Sequence, residues 1–325
     1  MNLARNLLSR VLQGLALVLA VVVLNFVLVH AAPGDPVETI AGASGGMSPE
    51  LMAQLRTQYG LDKPLPVQLG VYLKKVVSGD LGYSYFFNLP VISMIGERIP
   101  ATLLLVISSV LLAFVVGTTL GVLSSKKPNG VLSQFITVLS MVGFAAPVFW
   151  MGIMLVILFA SVIPILPVSG MRSVDSSASA GFEDMVDVLY HLVLPTLTLS
   201  LVYLAQYSRL ARSSMLDVLG SDFIRTARAK GLADRVVMYK HALRNALLPV
   251  VTVLGLQFGN VMAGAILVET VFNWPGLGRL AFDSVLRRDY PTILGVLLFS
   301  SIVVIVMNIL TDLAYRLIDP RIKAS

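Results

Sequence analysis

Six long runs without a single lysine, arginine, aspartate or glutamate divide this 325-residue chain. About 20 apolar residues suffice for an α-helix to cross the roughly 30 Å hydrocarbon layer, because the helix satisfies its own backbone hydrogen bonds. The runs are Val11–Ala32, Ile99–Ser125, Pro128–Met171, Val188–Ser208, Asn245–Val268 and Tyr290–Thr311. Charged residues make up only 13% of the chain, against about 25% in soluble domains. We therefore predict an all-α integral membrane protein with six transmembrane helices.

The distribution of charge predicts which side each loop occupies. The third run has 44 residues and could hold one long span or two short ones. With one span there, the loops on the side of the two termini hold 15 of the 24 basic residues and 5 of the 18 acidic residues. Cytoplasmic loops of membrane proteins carry an excess of lysine and arginine. This count therefore favours six spans with both termini in the cytoplasm.

The runs also predict two regions. Residues 1–98 contain the first transmembrane helix, at about 11–32, and an extracytoplasmic rim segment at 33–98. The first run is longer than a usual signal-peptide core, so we interpret it as a retained helix. Residues 99–325 form a five-helix core with a cytoplasmic loop at 209–244. The core helices are placed at about 99–125, 131–163, 188–208, 245–268 and 290–311.

Two extracytoplasmic segments carry local structure signals. Ser48 and Pro49 begin a helical pattern that Gly60 ends, because serine caps a helix, proline suits its first position and glycine suits the residue after it. Turn-forming residues, including Pro275 directly after it, surround Trp274. We predict an ordered turn there, with Trp274 near the membrane interface.

A strongly basic stretch from Asp222 to Pro249 lies between the fourth and fifth runs. Ser221 and Asp222 can cap a helix N-terminus, and Gly231 suits the left-handed residue that ends a helix. A helix of about nine residues spans about 13 Å and is too short to be stable alone. It is also too polar to enter lipid, so we expect a cytoplasmic partner against which it packs.

The sequence shows no recognisable catalytic or metal site. It lacks the G-x-x-x-x-G-K-[ST] phosphate loop, the H-E-x-x-H zinc motif and any cysteine. Its three histidines, His30, His191 and His241, stand far apart in sequence. The net charge of +6 is explained by its sidedness across the membrane rather than by nucleic-acid binding. We predict a non-enzymatic chain without a bound metal and without a nucleic-acid partner.

Polar and helix-breaking residues inside the apolar runs are the candidates for a translocation pathway. Unpaired polar groups are costly in lipid and usually face a partner or a cavity. Gln257 and Asn260 are three residues apart and share a helix face, which can line a pathway or pack against another helix. Pro147 interrupts the third run beside Trp150 and can mark a hinge or a tight packing contact. These four residues form the predicted pathway set.

Short motifs occur along nearly the whole chain. They are Tyr59–Pro64 (YGLDKP), Gly79–Ser84 (GDLGYS), Arg225–Gly231 (RTARAKG), His241–Pro249 (HALRNALLP), Glu269–Phe272 (ETVF), Pro275–Gly278 (PGLG), Arg288–Pro291 (RDYP) and Asp319–Arg321 (DPR). Each motif is weak alone, but their order and topology are specific. With them, the chain resembles a permease subunit of the dipeptide, oligopeptide and nickel branch of ATP-binding-cassette (ABC) importers.

The resemblance implies a type I ABC importer permease fold with a coupling helix from about Asp222 to Gly231, which docks in a groove of an ATPase subunit. The residues assigned to docking are Asp222, Phe223, Arg225, Thr226, Ala227, Arg228, Lys230 and Gly231. The chain departs from the general pattern in two ways: Arg-Thr-Ala replaces the opening Glu-Ala-Ala, and Pro249 lies 18 residues after Gly231. The outer loop that begins with ETVF adds a candidate outer gate or binding-protein contact, formed by Glu269, Phe272 and Trp274.

The resemblance also implies partners and a location. The partners are a second homologous permease subunit, two ATP-binding-cassette ATPase subunits or one fused pair, an extracytoplasmic substrate-binding protein and the lipid bilayer. ATP and Mg²⁺ are expected in the ATPase subunits, and no cofactor is expected on this chain. Rigid-body motion at the coupling helix can then drive alternating access. The expected location is the bacterial cytoplasmic (inner) membrane, as a multi-pass protein.

Peptides delivered by the binding protein are the expected substrates, with nickel, opines and glutathione as alternatives. A secondary transporter is a remote alternative, because such proteins normally carry more buried ionisable residues and often an inverted repeat. An intramembrane enzyme would need a nucleophile and a base at membrane depth, and no run places a histidine and aspartate pair beside a serine.

Overall fold

The computed structural model describes residues 3–31, 48–59, 62–84, 86–173 and 181–318. Its helices, in chain order, are α1 (Leu3–Ala31), α2 (Pro49–Tyr59), α3 (Leu65–Val77), α4 (Val91–Ser125), α5 (Val131–Ala145), α6 (Val148–Val156), α7 (Phe182–Leu219), α8 (Asp222–Ala229), α9 (Asp234–Val236), α10 (Leu243–Val271), α11 (Leu277–Leu286) and α12 (Tyr290–Ile318). Two π-helical segments, Ile157–Val162 and Val237–Ala242, follow α6 and α9. A short antiparallel hairpin pairs β1 (Tyr83–Ser84) with β2 (Leu89–Pro90). The chain divides into two compact units, Met1–Ala101 with Pro275–Ile309 and Thr102–Trp274 with Leu310–Ser325.

The apolar helices confirm a predominantly helical membrane protein. Within the described ranges, four helical stretches are long and apolar enough to cross a bilayer: Leu8–Leu28, Val91–Ser125, Phe182–Leu219 and Tyr290–Leu310. A bent pair, Ser133–Gly143 with Val148–Val162, could supply one more crossing. The fifth predicted span lies within α10, whose C-terminal part, Val261–Val271, is a shorter apolar helix. The count of six spans and the cytoplasmic location of both termini stay predictions.

The break between α5 and α6 has a local cause. The two helical stretches on either side of it differ in direction by 107°. Ala146 is extended (φ −81°, ψ 133°) and so is Pro147 (φ −61°, ψ 136°). Proline has no N–H to donate and disfavours helical geometry at the residue before it. Pro147 therefore ends one helix and precedes the next, as the predicted interruption of the third run requires.

The first unit is held together around the hairpin and the start of α12. Val91 and Ile95 of α4 pack with Leu277 of α11 in a buried apolar cluster. The carboxylate of Asp289 accepts hydrogen bonds from the hydroxyls of Ser84 (2.5 Å) and Thr292 (2.7 Å). Because the carboxylate is buried, these two donors replace the water it loses and fix β1 against α12.

The same unit contains α1, α2 and α3. The Asn25 side chain of α1 donates to the Leu294 carbonyl oxygen (3.3 Å), and His30 Nε2 lies 2.8 Å from Gln68 Oε1 of α3. The predicted start of α2 is confirmed, since the Leu51 N–H donates to the Ser48 hydroxyl (3.3 Å). The predicted stop at Gly60 lies outside the described residues. A hydrogen bond to the backbone is the main cause that lowers the pKa of the Glu50 carboxyl, and a hydrogen bond with the Ser48 hydroxyl lowers it further.

In the second unit, α4 and α7 approach each other at two glycines. A Cβ at Gly117 would lie 2.7 Å from the Leu204 carbonyl oxygen, and one at Gly121 would lie 2.7 Å from the Ala211 Cβ and 3.0 Å from the Arg212 nitrogen. Gly117 and Gly121 are four residues apart and form a G-x-x-x-G pattern, which lets helix backbones approach closely in a membrane. This contact brings the Tyr207 side of α7 against Ala113 of α4.

Candidate functional site

The short basic helix α8 begins and ends close to where the sequence predicts. Gly231 has φ +75°, so it occupies the left-handed conformation that glycine adopts without strain, and this prediction is confirmed. Ser221 is the N-cap residue, as predicted, with an extended backbone. Its hydroxyl accepts no hydrogen bond from an α8 N–H, however, and instead donates to the Val218 carbonyl oxygen in the preceding turn (2.5 Å). Asp222 lies in the first turn, where a negative charge is favoured by the helix dipole.

One face of α8 is buried in the second unit. Ile224 and Ala227 belong to an apolar cluster that also holds side chains from three long helices and from the π-helical segment. These side chains are Val122 of α4, Met215 of α7, Val237 and Ala242 of the π-helical segment, and Ala246 of α10. A short helix gains most of its stability from such packing. The helix α8 therefore packs directly against α4, α7 and α10, and it is not held by its flanking loops alone.

The opposite face of α8 is exposed and carries most of the predicted docking residues. Asp222, Phe223, Arg225, Thr226, Arg228, Lys230 and Gly231 are all exposed, whereas Ala227 lies on the buried face. Arg225 pairs with Asp222 (3.3 Å), and Arg228 approaches Asp234 of α9 (3.7 Å). Exposed ion pairs stabilise a fold little. These side chains are therefore available for contact with another surface.

The predicted pathway residues lie in different settings. Gln257 of α10 is buried, and its Nε2 donates to Oε1 of Gln206 on α7 (2.7 Å), so it takes part in packing between two helices. The side chain of Asn260 lies outside the described residues. Trp150 follows the break at Pro147 and is about half exposed, at 49%. The described residues thus do not bring Gln257 and Trp150 into one hydrogen-bonded cluster.

The end of α10 holds a buried carboxylate. Glu269 is fully buried, and the Thr102 hydroxyl of α4 donates to its Oε1 (2.7 Å). The Glu269 carbonyl oxygen also accepts a hydrogen bond from the Trp274 N–H (2.8 Å), which closes the turn after α10. A buried ionisable group in a membrane protein is expensive unless it is paired, and it commonly marks a functional position.

The other two predicted gate residues are buried beside Glu269. The Phe272 carbonyl oxygen accepts a hydrogen bond from the Gly170 N–H (2.8 Å), and the Phe272 ring packs near Gly152 of α6. Trp274 is fully buried within the chain, so its ring is not presented to lipid or water; its place near the membrane interface stays a prediction. The predicted ordered turn is present, and Asn273 within it has φ +53°. Glu269, Phe272 and Trp274 therefore form one packed corner.

Among the residues that the structure describes, no group of three or more histidine, aspartate or glutamate side chains is arranged to hold a metal ion. The His191 ring lies beside Asp187 one helical turn away, with Nδ1 3.3 Å from Oδ1. His30 contacts Gln68 of α3, as described above. These two histidines stabilise helix ends and helix contacts.

Two family models match the chain in succession. Residues 3–106 match the N-terminal part of the binding-protein-dependent transport system membrane component. Residues 117–324 match the binding-protein-dependent transport system inner membrane component. The chain belongs to this inner membrane component family. It is accordingly a multi-pass inner-membrane permease of the ABC transporter class.

Relatives in this permease family match over nearly their full length. The dipeptide transport system permease protein DppB of Escherichia coli (strain K12) is 43% identical over 337 residues, which cover 98% of this chain and 99% of DppB. The oligopeptide transport system permease protein AppB of Bacillus subtilis (strain 168) is 38% identical over 326 residues, which cover 99% of this chain and 100% of AppB.

A solved structure supports the same fold for this permease. A chain of the inward-facing MetNI methionine ABC transporter aligns with a TM-score of 0.55 and 16% sequence identity. The match covers 70% of this chain and 97% of the MetNI chain. At this level of identity the similarity concerns the fold alone. The permease core therefore has the architecture of a known ABC importer.

Several residues of this permease were not singled out by the sequence. Thr102 was missed because one threonine in an apolar run has no local signal of its partner. Gln206 is a polar residue within the fourth apolar run, and nothing near it in the sequence indicates its partner Gln257, which lies 51 residues further along the chain. The pair Gly117 and Gly121 did carry a usable signal, the G-x-x-x-G spacing.

Proposed function

We propose that this chain is the permease subunit of an ATP-driven importer of peptides. The observation that carries the proposal is 43% identity over nearly the whole chain to a dipeptide permease, together with 38% identity to an oligopeptide permease. The shared length includes both the membrane helices and the segment around α8. A second homologous permease subunit completes the pathway, and an extracytoplasmic binding protein delivers the peptide.

The proposed topology has six crossings with both termini in the cytoplasm. Residues 1–98 supply the first crossing and the extracytoplasmic rim, and residues 99–325 supply five crossings and the cytoplasmic loop at 209–244. The four long apolar helices, the bent pair and α10 provide enough helical segments for this arrangement. The excess of basic residues on one side supports its direction.

In the proposed mechanism, α8 passes motion from the ATPases to the membrane helices. Two ATPase subunits, or one fused pair, bind ATP and Mg²⁺, and their closing and opening shifts the docked helix as a rigid body. The buried cluster around Ile224 joins α8 to α4, α7 and α10. Because packed interiors deform little, a shift of α8 must be followed by those helix ends. The chain itself binds no nucleotide and catalyses no reaction.

The proposed pathway and gate use the other predicted residues. Pro147 and Trp150 lie at the bend between α5 and α6, and Gln257 and Asn260 lie on α10. Glu269, Phe272 and Trp274 form the packed corner that we assign to the outer gate or to the binding-protein contact. The hydrogen bond from Thr102 keeps the Glu269 carboxylate in place at that corner.

Affinity purification of the tagged chain in mild detergent tests the proposal directly. We expect recovery of two ATPases and a second permease, and ATP-dependent uptake of di- or oligopeptides after reconstitution with the binding protein. Uptake of nickel in place of peptides would contradict the proposed peptide substrate, but it would still agree with an ATP-driven importer. Recovery of the chain alone, with transport that needs no ATP, would contradict the importer itself.

Topology can be tested with a single introduced cysteine, because the chain contains no native cysteine. Ala233 is exposed, in the turn before α9. In right-side-out vesicles or intact spheroplasts, an Ala233→Cys variant should react with a membrane-impermeant maleimide only after the membrane is opened. A cysteine at Val77, which is 87% exposed in the proposed extracytoplasmic rim, should react without opening. The reverse pattern would overturn the proposed direction.

A further inference from the structure

A second exposed apolar surface lies directly after the coupling helix. Leu232, Val236 and Tyr239 have exposed fractions of 39%, 38% and 41%. Val236 and Tyr239 are three residues apart at the junction of α9 and the π-helical segment, so they share a face. The Lys126 ammonium, from the loop after α4, lies 5.1 Å from the centre of the Tyr239 ring. These four residues are named the post-coupling surface.

The post-coupling surface is presented on a rigid support. Val237, adjacent to Val236, is buried in the same apolar cluster as Ile224 of α8. The Leu232 N–H donates to the Ala227 carbonyl oxygen (3.4 Å), and Arg228 of α8 approaches Asp234 of α9 (3.7 Å). The exposed faces of α8 and of the segment that follows it are thus parts of one continuous surface.

The post-coupling surface is flanked by charges of both signs, since the basic residues Arg235 and Lys240 are exposed beside Val236 and Tyr239. Asp234 lies between Leu232 and Val236, and its side chain is 91% exposed. Asp222 adjoins the exposed Phe223 of α8, and its side chain is 95% exposed. A segment that lies on anionic lipid presents basic residues around its apolar face, and carboxylates there are repelled by the headgroups. A protein groove can pair both signs of charge around an apolar centre.

We propose that the post-coupling surface is a second docking element for the ATPase subunit, in addition to α8. The inference rests on the proposed function, because it names where the same ATPase makes contact. The partner surface has an apolar pocket for Val236 and Tyr239, with acidic groups that face Lys126 and the surrounding arginines. An aromatic side chain flanked by a cation is a typical interface anchor. Contact on both sides of Gly231 lets the ATPase impose rotation as well as displacement on the inner helix ends.

Single-cysteine variants in the complete transporter test this proposal. Val236→Cys, Tyr239→Cys and Arg225→Cys are each made in the otherwise cysteine-free chain and co-produced with the second permease, with or without the ATPases. The ATPases are used in cysteine-free form where their own thiols interfere. The rate of modification by a charged maleimide is measured in detergent and in nanodiscs containing anionic lipid, which leave both sides of the membrane accessible. We expect all three sites to lose reactivity when the ATPases are bound, and Val77→Cys to keep it.

The outcomes separate this inference from the proposed function. Protection at Arg225→Cys with unchanged reactivity at Val236→Cys and Tyr239→Cys would overturn the second docking element and retain the coupling helix. Protection at none of the three sites, with ATPases present in the complex, would overturn both. Protection of the Val236 and Tyr239 sites by anionic nanodiscs without ATPases, relative to detergent, would assign the surface to lipid and also overturn the inference.

A binding measurement provides an independent check. The double variant Val236→Gln and Tyr239→Gln replaces two side chains that are not part of the buried cluster around Ile224, so the membrane helices should assemble normally. We expect its affinity for the ATPases to fall by about tenfold, as for the loss of interface anchors. The matched variant Val77→Gln should bind them normally. Unchanged affinity of the double variant would contradict the inference.

Discussion

Replacing Gly121 with alanine is expected to destabilise the assembled permease by about 3 kcal/mol, at the upper end of the usual range for overpacked sites. The added Cβ would lie 2.7 Å from the Ala211 Cβ and 3.0 Å from the Arg212 backbone nitrogen on α7. It would also be closer to the Ser208 carbonyl oxygen than any van der Waals contact allows. Backbone atoms cannot rotate away as side chains can, so α4 and α7 must separate. The measurement is the thermal stability of the detergent-purified chain and the fraction that elutes as a folded monodisperse species.

Gly96 of the same helix provides the matched control. A Cβ at Gly96 meets no atom within 4 Å, so Gly96→Ala adds the same methyl group without overpacking this chain. Alanine also favours the helix over glycine by about 1 kcal/mol. Gly96→Ala should therefore be neutral or slightly stabilising. Equal stability of Gly121→Ala and Gly96→Ala would contradict close packing of α4 on α7.

The sequence predicts best those features that depend on residues close together in the chain. The absence of charge over 20 or more residues predicts membrane helices, because the requirement applies to each helix separately. The end of α8 at Gly231 and the start of α2 at Ser48 are also local, since cap residues act within about one turn. The break at Pro147 is also a local feature, because proline acts on its own backbone and on the residue before it.

Features that depend on contacts between distant segments were not predictable in the same way. The sequence around Trp274 predicts a turn, but it does not indicate the contacts that bury the whole Trp274 side chain. The sequence allows Gln257 either to line a pathway or to pack against another helix. Its hydrogen bond to Gln206 on α7, which the local sequence does not indicate, places it in helix packing. Ser221 is a typical capping residue, but its hydroxyl forms a hydrogen bond with the Val218 carbonyl oxygen in the preceding turn and none with an α8 N–H. In each case a partner that the local pattern does not contain decides the role.

Replacing Gly231 with valine is expected to lower peptide uptake per ATP hydrolysed by about tenfold or more, while the chain remains inserted in the membrane. Gly231 has φ +75°, a conformation that is strained by about 1–3 kcal/mol in other residues and more for β-branched ones. Each 1.4 kcal/mol changes an equilibrium tenfold. A Cβ at Gly231 meets no atom within 4 Å, so the effect is backbone strain and not a clash. Uptake and ATP hydrolysis are measured together in reconstituted vesicles.

The residue Gly220 separates the effect of backbone strain from that of adding a side chain. Gly220 ends α7 with an ordinary helical φ of −79°, and a Cβ there makes only ordinary contacts with the preceding turn. Gly220→Val therefore adds the same side chain near α8 without the left-handed strain, and coupling should be largely retained. Because α8 is anchored by Ile224 and Ala227 on one side of Gly231 and the next segment by Val237 on the other, relief of strain at Gly231 must change the angle between the two. If Gly231→Val and Gly220→Val support equal uptake per ATP, the turn at Gly231 does not set the geometry through which the ATPases act.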